Sequence, residues 1–153
     1  MVTEAERAYA AGFLDGEGSF YINLYFRPRR GHWQKVAKVC VSQNDPRPLE
    51  WLIERWGGQL RRARHVKLST GIYWQYQLPA RKATRLVEDV LPFLLVKREV
   101  AENFLAFESY RPQSRKLSDD DLSHLYELVN RSHILNGRPA AVCVNHWVKG
   151  VPI

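Results

Sequence analysis

Two stretches in the first third of the chain alternate apolar and polar residues, the pattern of a strand with one buried face. They cover residues 19–27 and 33–43, and a turn sequence containing proline, glycine and arginine separates them. This pattern predicts a long β-hairpin with one apolar face and one largely polar face. A second hairpin is predicted from residues 59–67 and 72–78, although three crowded arginines leave the faces of its first strand unassigned.

Helical spacing of apolar residues predicts five helices around these strands. The first opens with a capping box, Thr3-x-x-Glu6, and the second with Asp45 as its cap. The predicted helices cover residues 3–15, 45–57, 79–91, 96–110 and 118–136. The resulting order is αββαββα followed by extra C-terminal helices. It indicates an α+β fold in which helices cover one face of an antiparallel sheet.

The composition is that of one globular, intracellular domain. The chain has 153 residues, 45% of them hydrophobic. We expect a single domain over residues 1–153, with a core at 3–110, a helical extension at 111–137 and a tail at 138–153. Two cysteines without metal-ligand spacing, Cys40 and Cys143, are typical of a reduced compartment. The acidic N-terminus does not resemble a secretion signal, and no apolar run could span a bilayer.

Positive charge is concentrated in the predicted sheet region. The net charge is +7, and residues 19–79 contain 11 Lys and Arg against 3 Asp and Glu. A basic surface of this kind commonly binds phosphates, and a merely solvated surface is the alternative. A polar-faced β-ribbon with this charge suits the major groove of DNA.

The most specific segment is residues 10–18, Ala-Ala-Gly-Phe-Leu-Asp-Gly-Glu-Gly. A helix end leaves four carbonyls without internal partners, and Asp15 and Glu17 add full negative charges beside them. Gly16 and Gly18 permit tight turning and the close approach of a ligand. Such oxygens are what a hard divalent cation requires. A glycine-rich helix end with incidental acids is the alternative interpretation.

This nonapeptide and the predicted element order resemble the LAGLIDADG homing endonucleases, and one motif in a short chain is typical of their homodimeric, I-CreI-like group. The resemblance implies a saddle-shaped DNA-binding sheet backed by helices. It implies site-specific, metal-dependent hydrolysis of both strands of a long, roughly palindromic DNA. Short 3′ overhangs and mobility of a host intron or intein would follow. The implied cofactor is Mg²⁺, with Mn²⁺ or Ca²⁺ able to substitute in binding, and the partners are double-stranded DNA and a second copy. No membrane and no small-molecule substrate are implied.

The resemblance assigns roles residue by residue. Glu17 matches the metal-binding acid, where the family motif has Asp, and Gly16 matches a residue whose carbonyl also binds metal. Asp15 matches an acid that is mainly structural. Gln43 matches a residue that orders the attacking water, and Arg47 and Lys97 match basic residues around the cleaved phosphates. The small residues Ala8, Ala11 and Gly12, with Asp15, would form the helix face that joins two subunits.

Outward strand positions are the candidates for reading DNA, since Arg and Lys favour guanine whereas Asn and Gln favour adenine. On the first hairpin they are Tyr21, Asn23, Tyr25, Arg27, Gln34, Lys38 and Cys40, with Arg29, Arg30 and His32 at its tip. On the second hairpin they are Arg62, Arg64, Tyr73, Gln75 and Gln77.

Two rival interpretations remain open on the sequence. One is a cleavage-inactive RNA maturase or DNA-binding regulator on the same fold, because a fold alone does not define a function. The other is an unrelated basic α+β protein in which the nonapeptide serves only packing.

Overall fold

The structure, a computed structural model, describes residues 1–64 and 71–138. Its elements are α1 (Glu4–Glu17), β1 (Gly18–Arg27), β2 (His32–Gln43), α2 (Arg47–Trp56), β3 (Gln59–Arg64), β4 (Ile72–Pro79), α3 (Ala80–Val90), a 3₁₀ turn (Leu91–Phe93), α4 (Arg98–Ser109) and α5 (Asp119–Leu135). This order confirms the predicted αββαββα arrangement with additional C-terminal helices. The predicted turn at residues 69–71 falls largely outside the described residues, as do residues 139–153 of the predicted tail.

The boundaries of the first two helices follow from local hydrogen bonds. The capping box forms as predicted: Thr3 Oγ1 accepts from the Glu6 backbone N–H at 3.2 Å, and Glu6 Oε2 accepts from the Thr3 N–H at 2.8 Å. Helix α1 runs two residues further than predicted, because β1 begins directly at Gly18. Helix α2 begins later than predicted, at Arg47, whose backbone N–H donates to Asp45 Oδ1 at 3.0 Å.

The four strands form one antiparallel sheet in the order β1-β2-β4-β3. Alternation places one row of side chains from each strand against the helices and the other row on the opposite face. The helix side is apolar and buried, as shown by Phe20, Val39 and Leu78, which are at most 3% exposed. The opposite side, called the open face below, contains most of the polar strand positions and no buried residue among those described.

The helices pack on the buried side of this sheet and on one another. Helices α3 and α4 contact β1, β2 or β4, and α5 packs on α4 and β1. None of the helices in the described ranges is long and apolar enough to cross a membrane. Among the described residues, the open face of the sheet and the outer side of α1 are two surfaces that the core does not cover.

Candidate functional site

Helix α1 continues directly into β1. One position of this connection, Gly18, accommodates only glycine. A Cβ on Gly18 would lie 2.6 Å from Leu14 Cδ2 and 2.9 Å from the Leu14 carbonyl oxygen. A Cβ on Gly16 would meet no atom of residues 1–64 and 71–138 within 4 Å. Gly18 is thus required for packing, whereas the space beside Gly16 is available to a ligand.

The Asp15 carboxylate fixes the chain segment that precedes α4. It accepts backbone N–H bonds from Leu95 at 2.8 Å, Val96 at 3.2 Å and Lys97 at 2.9 Å. Burial alone would raise the pKa of Asp15, but these three bonds and the Lys97 charge outweigh it and lower the pKa. The contacts support the structural role that the resemblance implies for this acid.

Replacing Asp15 by asparagine should therefore destabilise the fold. At neutral pH we expect the free energy of unfolding to fall by roughly 1–3 kcal/mol, because hydrogen bonds to a charged acceptor are lost. The folded pKa of Asp15 lies below the reference value of 3.8, so this stabilisation is complete above that pH and is lost as pH falls through the folded pKa. Urea unfolding of the wild type and of Asp15→Asn, from neutral to acidic pH, measures this difference in the free energy of unfolding.

The matched control is Glu88→Gln, which removes an exposed carboxylate from α3. This control should change stability little at any pH. A difference between wild type and Asp15→Asn that stays constant down to the acid limit would contradict the assignment.

The Lys97 side chain contacts the C-terminal end of α1, although Lys97 follows Leu14 by 83 positions in the sequence. Its Nζ donates to the carbonyl oxygens of Leu14 at 2.9 Å and Gly18 at 2.5 Å. A cation is favourable there, because the C-terminus of a helix carries partial negative charge. Burial lowers the pKa of the Lys97 ammonium, and the charges of Asp15 and Glu17 counteract part of this effect. The structure thus brings Lys97 to the glycine-acid turn.

Glu17 and Gln43 meet in one open groove. Glu17 is exposed at the last position of α1, and the groove has a volume of about 460 Å³. The other described residues of its lining are Ser42, Asn44 and Tyr73. Sequence reasoning missed Ser42 and Asn44, although both flank Gln43 at the end of the same strand. It expected Tyr73 only as a DNA contact.

The oxygen donors here fit a metal ion shared with another molecule. The Glu17 carboxylate is exposed here, and the resemblance implies the Gly16 carbonyl as a second oxygen donor. Among the described residues no three His, Cys, Asp or Glu side chains are grouped to hold a metal. Mg²⁺ in proteins typically uses one or two carboxylates and takes its other ligands from substrate phosphates and water. The chemistry of the turn is therefore that of a partial site, which substrate oxygens or a second carboxylate would complete.

Arg47 lies in a different groove. Its guanidinium Nε donates to both carboxylate oxygens of Asp45 at 3.0 Å. The hydrogen bonds from Arg47 lower the pKa of Asp45 to about 2. Both residues line a groove of about 550 Å³ with Tyr9 and Trp51, and Glu17 is not part of that lining. Glu17 therefore shares a groove with Gln43, and its charge acts on Lys97 at the end of α1, whereas Arg47 lies in a separate groove.

Most predicted DNA-reading residues share the open face. The strand pairing places on it the first-hairpin candidates Tyr21, Asn23, Tyr25, Arg27, Gln34, Lys38 and Cys40, and the second-hairpin candidates Tyr73, Gln75 and Gln77. They contact one another there: the Tyr21 and Tyr25 hydroxyls share a hydrogen bond, and Arg27 Nε donates to Gln34 Oε1 at 3.0 Å. At the hairpin tip, Arg29 and Arg30 are exposed and His32 Nδ1 lies 3.0 Å from the Arg30 carbonyl oxygen.

The register of β3 corrects the sequence assignment of its arginines. Arg62 pairs with Trp74, and its guanidinium carbon lies 6.0 Å from the Trp74 ring centroid. Arg64 pairs with Ile72, and its side chain is outside the described part of the structure. Because paired residues share a face, Arg62 belongs to the helix side of the sheet. Arg61, which pairs with Gln75, is the β3 arginine on the open face.

The outer side of α1 exposes only part of the predicted subunit face. Ala8 and Gly12 are exposed, and a Cβ on Gly12 would meet no atom within 4 Å. Ala11 is 0% exposed because it packs in the core of its own chain, so it is not on this face. Two large apolar side chains that the sequence did not single out are exposed instead, Leu95 at 88% and Val96 at 78%.

Of the comparisons with known proteins, only the one with solved structures found matches. No protein-family model and no curated protein sequence matches the chain. Two structures of the homing endonuclease I-CvuI are 19% identical to it, one with an I-CreI target in the presence of magnesium and one with its own target in the presence of calcium. Their TM-scores are 0.77 and 0.76, and the alignments cover 96% and 98% of this chain and 92% and 98% of those chains.

A third structure is the archaeal intron-encoded homing endonuclease I-Vdi141I complexed with DNA, at 18% identity and a TM-score of 0.73. That alignment covers 96% of this chain and 94% of the other. LAGLIDADG proteins occur among the other matches, for example the meganuclease I-AabMI with a TM-score of 0.65. The chain therefore has the fold of the LAGLIDADG homing endonucleases.

Proposed function

We propose that the protein is a site-specific homing endonuclease that hydrolyses both strands of a long, roughly palindromic DNA target. The observation that carries this proposal is the end of α1, where Glu17 shares a groove with Gln43 and where the Lys97 ammonium contacts the Leu14 and Gly18 carbonyls. Proteins of the same fold have been solved on DNA targets, which supports the choice of substrate. Short 3′ overhangs, mobility of a host intron or intein and an intracellular location belong to the same proposal.

Each residue of the site would have a separate role in the reaction. Glu17 and the Gly16 carbonyl would hold Mg²⁺, which, when bound, supplies charge stabilisation at the phosphate and a more acidic water. The Gln43 side-chain amide would hydrogen-bond the water that attacks phosphorus, and its position in the groove of Glu17 supports this role. The Lys97 ammonium would stabilise the negative charge that develops on the phosphate oxygens. Arg47 would contribute to this stabilisation only if its guanidinium released Asp45 and bound a phosphate instead.

A second copy completes the proposed site. The outer side of α1 presents the exposed residues Ala8 and Gly12, with Tyr9 at 54% exposure close by. Leu95 and Val96 extend this surface, since Asp15 holds their backbone against the end of α1. Two-fold packing here would bring together two Glu17 residues, one for each DNA strand. It also requires a target whose half-sites mirror the symmetry of the protein.

A cleavage-inactive RNA maturase or DNA-binding regulator is the second candidate. The observation that favours it is the pairing of Arg47 with Asp45, which neutralises one of the cations expected near the cleaved phosphate. Against it stands the Glu17 groove, which a purely binding protein does not require.

Selection of cleaved products from a randomised DNA library, with Mg²⁺ or with EDTA, tests the proposal. We expect cleavage only with Mg²⁺ and a roughly palindromic consensus on both sides of the break. A library that is bound with sequence preference but never cut would identify the regulator. Preferential binding of structured RNA without DNA cleavage would identify the maturase.

A further inference from the structure

The first two turns of α3 carry two positive charges that have no part in the proposed cleavage site. Arg81 and Arg85 are four residues apart, so they lie on the same side of the helix. Both are exposed, whereas the opposite side of α3 is buried in the core through Ala83, Leu86 and Val87. The outer side of α3 therefore presents two guanidinium groups at the surface.

The Arg81 and Arg85 side chains have no acidic partner. Neither forms an ion pair or a hydrogen bond with any residue of the ranges 1–64 and 71–138, and the first turn of α3 contains no Asp or Glu. Lys82 differs, because its Nζ lies 3.4 Å from where a Cβ on Gly57 would be, at the C-terminal end of α2. A cation is favourable at such a helix end. That contact accounts for Lys82 but not for the two arginines.

The start of α3 is also unfavourable for the helix itself. A positive charge near a helix N-terminus opposes the helix dipole, and like charges four residues apart repel each other. Ala80, the first residue of α3, has a φ of 45°, a left-handed conformation that is costly for a residue with a Cβ. Local costs of this kind are typical of positions that serve binding rather than folding.

The sheet places this end of α3 beside the open face. Pro79, the last residue of β4, pairs with Lys38 of the open face, and paired residues share a face. Trp74 of the same strand pairs with Gln43, which lines the groove of Glu17. Lys38 and Gln43 are five residues apart on β2, so the start of α3 is about 17 Å from the groove along the sheet. This distance corresponds to about five base pairs of DNA.

From this charge and placement we infer that Arg81 and Arg85 form a second DNA-contacting surface, outside the sheet, which binds backbone phosphates about five base pairs from the cleavage position. The inference rests on the proposed function. The two backbones of a duplex border its major groove, so DNA on the open face carries phosphates past the edge of the sheet. Guanidinium groups bind phosphate oxygens through paired hydrogen bonds. Such contacts fix the register of a protein on DNA without base preference.

Neutral methylphosphonate groups, placed one at a time in the backbone of the selected target duplex, test the inference. Dissociation constants are measured with Ca²⁺ for full-length wild type, Arg81→Gln, Arg85→Gln and Arg131→Gln. The last variant is the charge-matched control, because it removes an exposed arginine from α5. We expect wild type to lose about threefold to tenfold in affinity at one or two phosphates near the fifth base pair from the break.

Each α3 variant should lose a similar factor on unmodified DNA and should become insensitive to one of those methylphosphonates. The slope of log affinity against log salt concentration should decrease by about 1 for each arginine removed, with the same loss on every DNA sequence. Arg131→Gln should retain the wild-type slope and the wild-type sensitivity to methylphosphonates.

Thermal unfolding separates a binding role from a structural one. Arg81→Gln removes the charge that opposes the helix dipole, so we expect its Tm to rise by about 1–3 °C while its affinity for DNA falls. A lower Tm in Arg81→Gln together with weaker DNA binding would indicate damage to the fold and would overturn the inference.

Two further results would overturn the inference and leave the endonuclease proposal intact, since the open face and the Glu17 groove are unchanged in these variants. One is wild-type binding that no methylphosphonate near the fifth base pair weakens, and the other is an equal loss of affinity in Arg131→Gln. Weaker binding of structured RNA but not of DNA by Arg81→Gln would assign the surface to RNA and overturn it as well. A wild-type chain that selects no DNA target overturns the proposed function together with the inference.

Discussion

Glu17→Gln should reduce DNA cleavage in Mg²⁺ by on the order of a thousandfold or more, because a metal-bound site contributes several kcal/mol to transition-state stabilisation. Glutamine keeps the size of the side chain but removes the charge that binds the cation. The open face is unchanged by this substitution, so the dissociation constant for target DNA should remain within a few-fold of the wild-type value. Single-turnover cleavage and equilibrium binding measure the two quantities separately.

The control for this substitution is Glu127→Gln, which removes an exposed carboxylate on α5. It should cleave at the wild-type rate, showing that the loss in Glu17→Gln does not result from the altered net charge. Cleavage by Glu17→Gln within tenfold of wild type would exclude Glu17 as the essential metal ligand. Loss of DNA binding together with cleavage would instead assign Glu17 to DNA recognition.

Gly12→Leu should convert the proposed dimer into a folded monomer that does not make double-strand breaks. No atom of the described residues lies within 4 Å of a Cβ on Gly12, and Gly12 is exposed, so this part of the chain leaves room for a larger side chain. Leucine is also a better helix former than glycine by roughly 1 kcal/mol. In a two-fold interface both leucines enter the same contact. An overpacking cost of about 1–3 kcal/mol for each should raise the dissociation constant about thirtyfold or more.

Light scattering and thermal unfolding distinguish this result from simple damage to the fold. Ser123→Leu is the control, because it adds the same side chain to an exposed position on α5. That control should remain dimeric and active. A Gly12→Leu protein that is still dimeric at micromolar concentration would contradict packing of α1 against a second copy.

The sequence predicted the elements well where local rules dominate. The capping box at Thr3, the alternation in residues 19–27 and the paired glycines after Trp56 all depend on neighbours within a few residues. The structure accordingly has these helix and strand ends within one or two positions of the prediction. The exception at Asp45 is also local. Its carboxylate binds both the backbone and the side chain of Arg47, and the helix begins at that residue.

The candidate site was predicted only in part, because its residues come from separate elements. The nonapeptide pointed to Glu17, and the wider resemblance to the family proposed Gln43 and Lys97, which lie outside the motif. Nothing local in the sequence shows that Lys97 donates to the Leu14 carbonyl, a contact between residues 83 positions apart. The same holds for Ala11, whose small side chain suits a subunit interface and the chain's own core equally well.

What the sequence by itself determined is the α+β order of elements, the concentration of positive charge in the sheet and the acidic glycine-rich end of α1. Each depends on periodicity or composition, which are properties of short segments. Only the tertiary structure decided that Arg61 rather than Arg62 is on the open face, since a strand's faces are fixed by its pairing partner. It likewise decided that Leu95 and Val96 are exposed beside α1, because the Asp15 carboxylate holds them there across 80 residues of sequence.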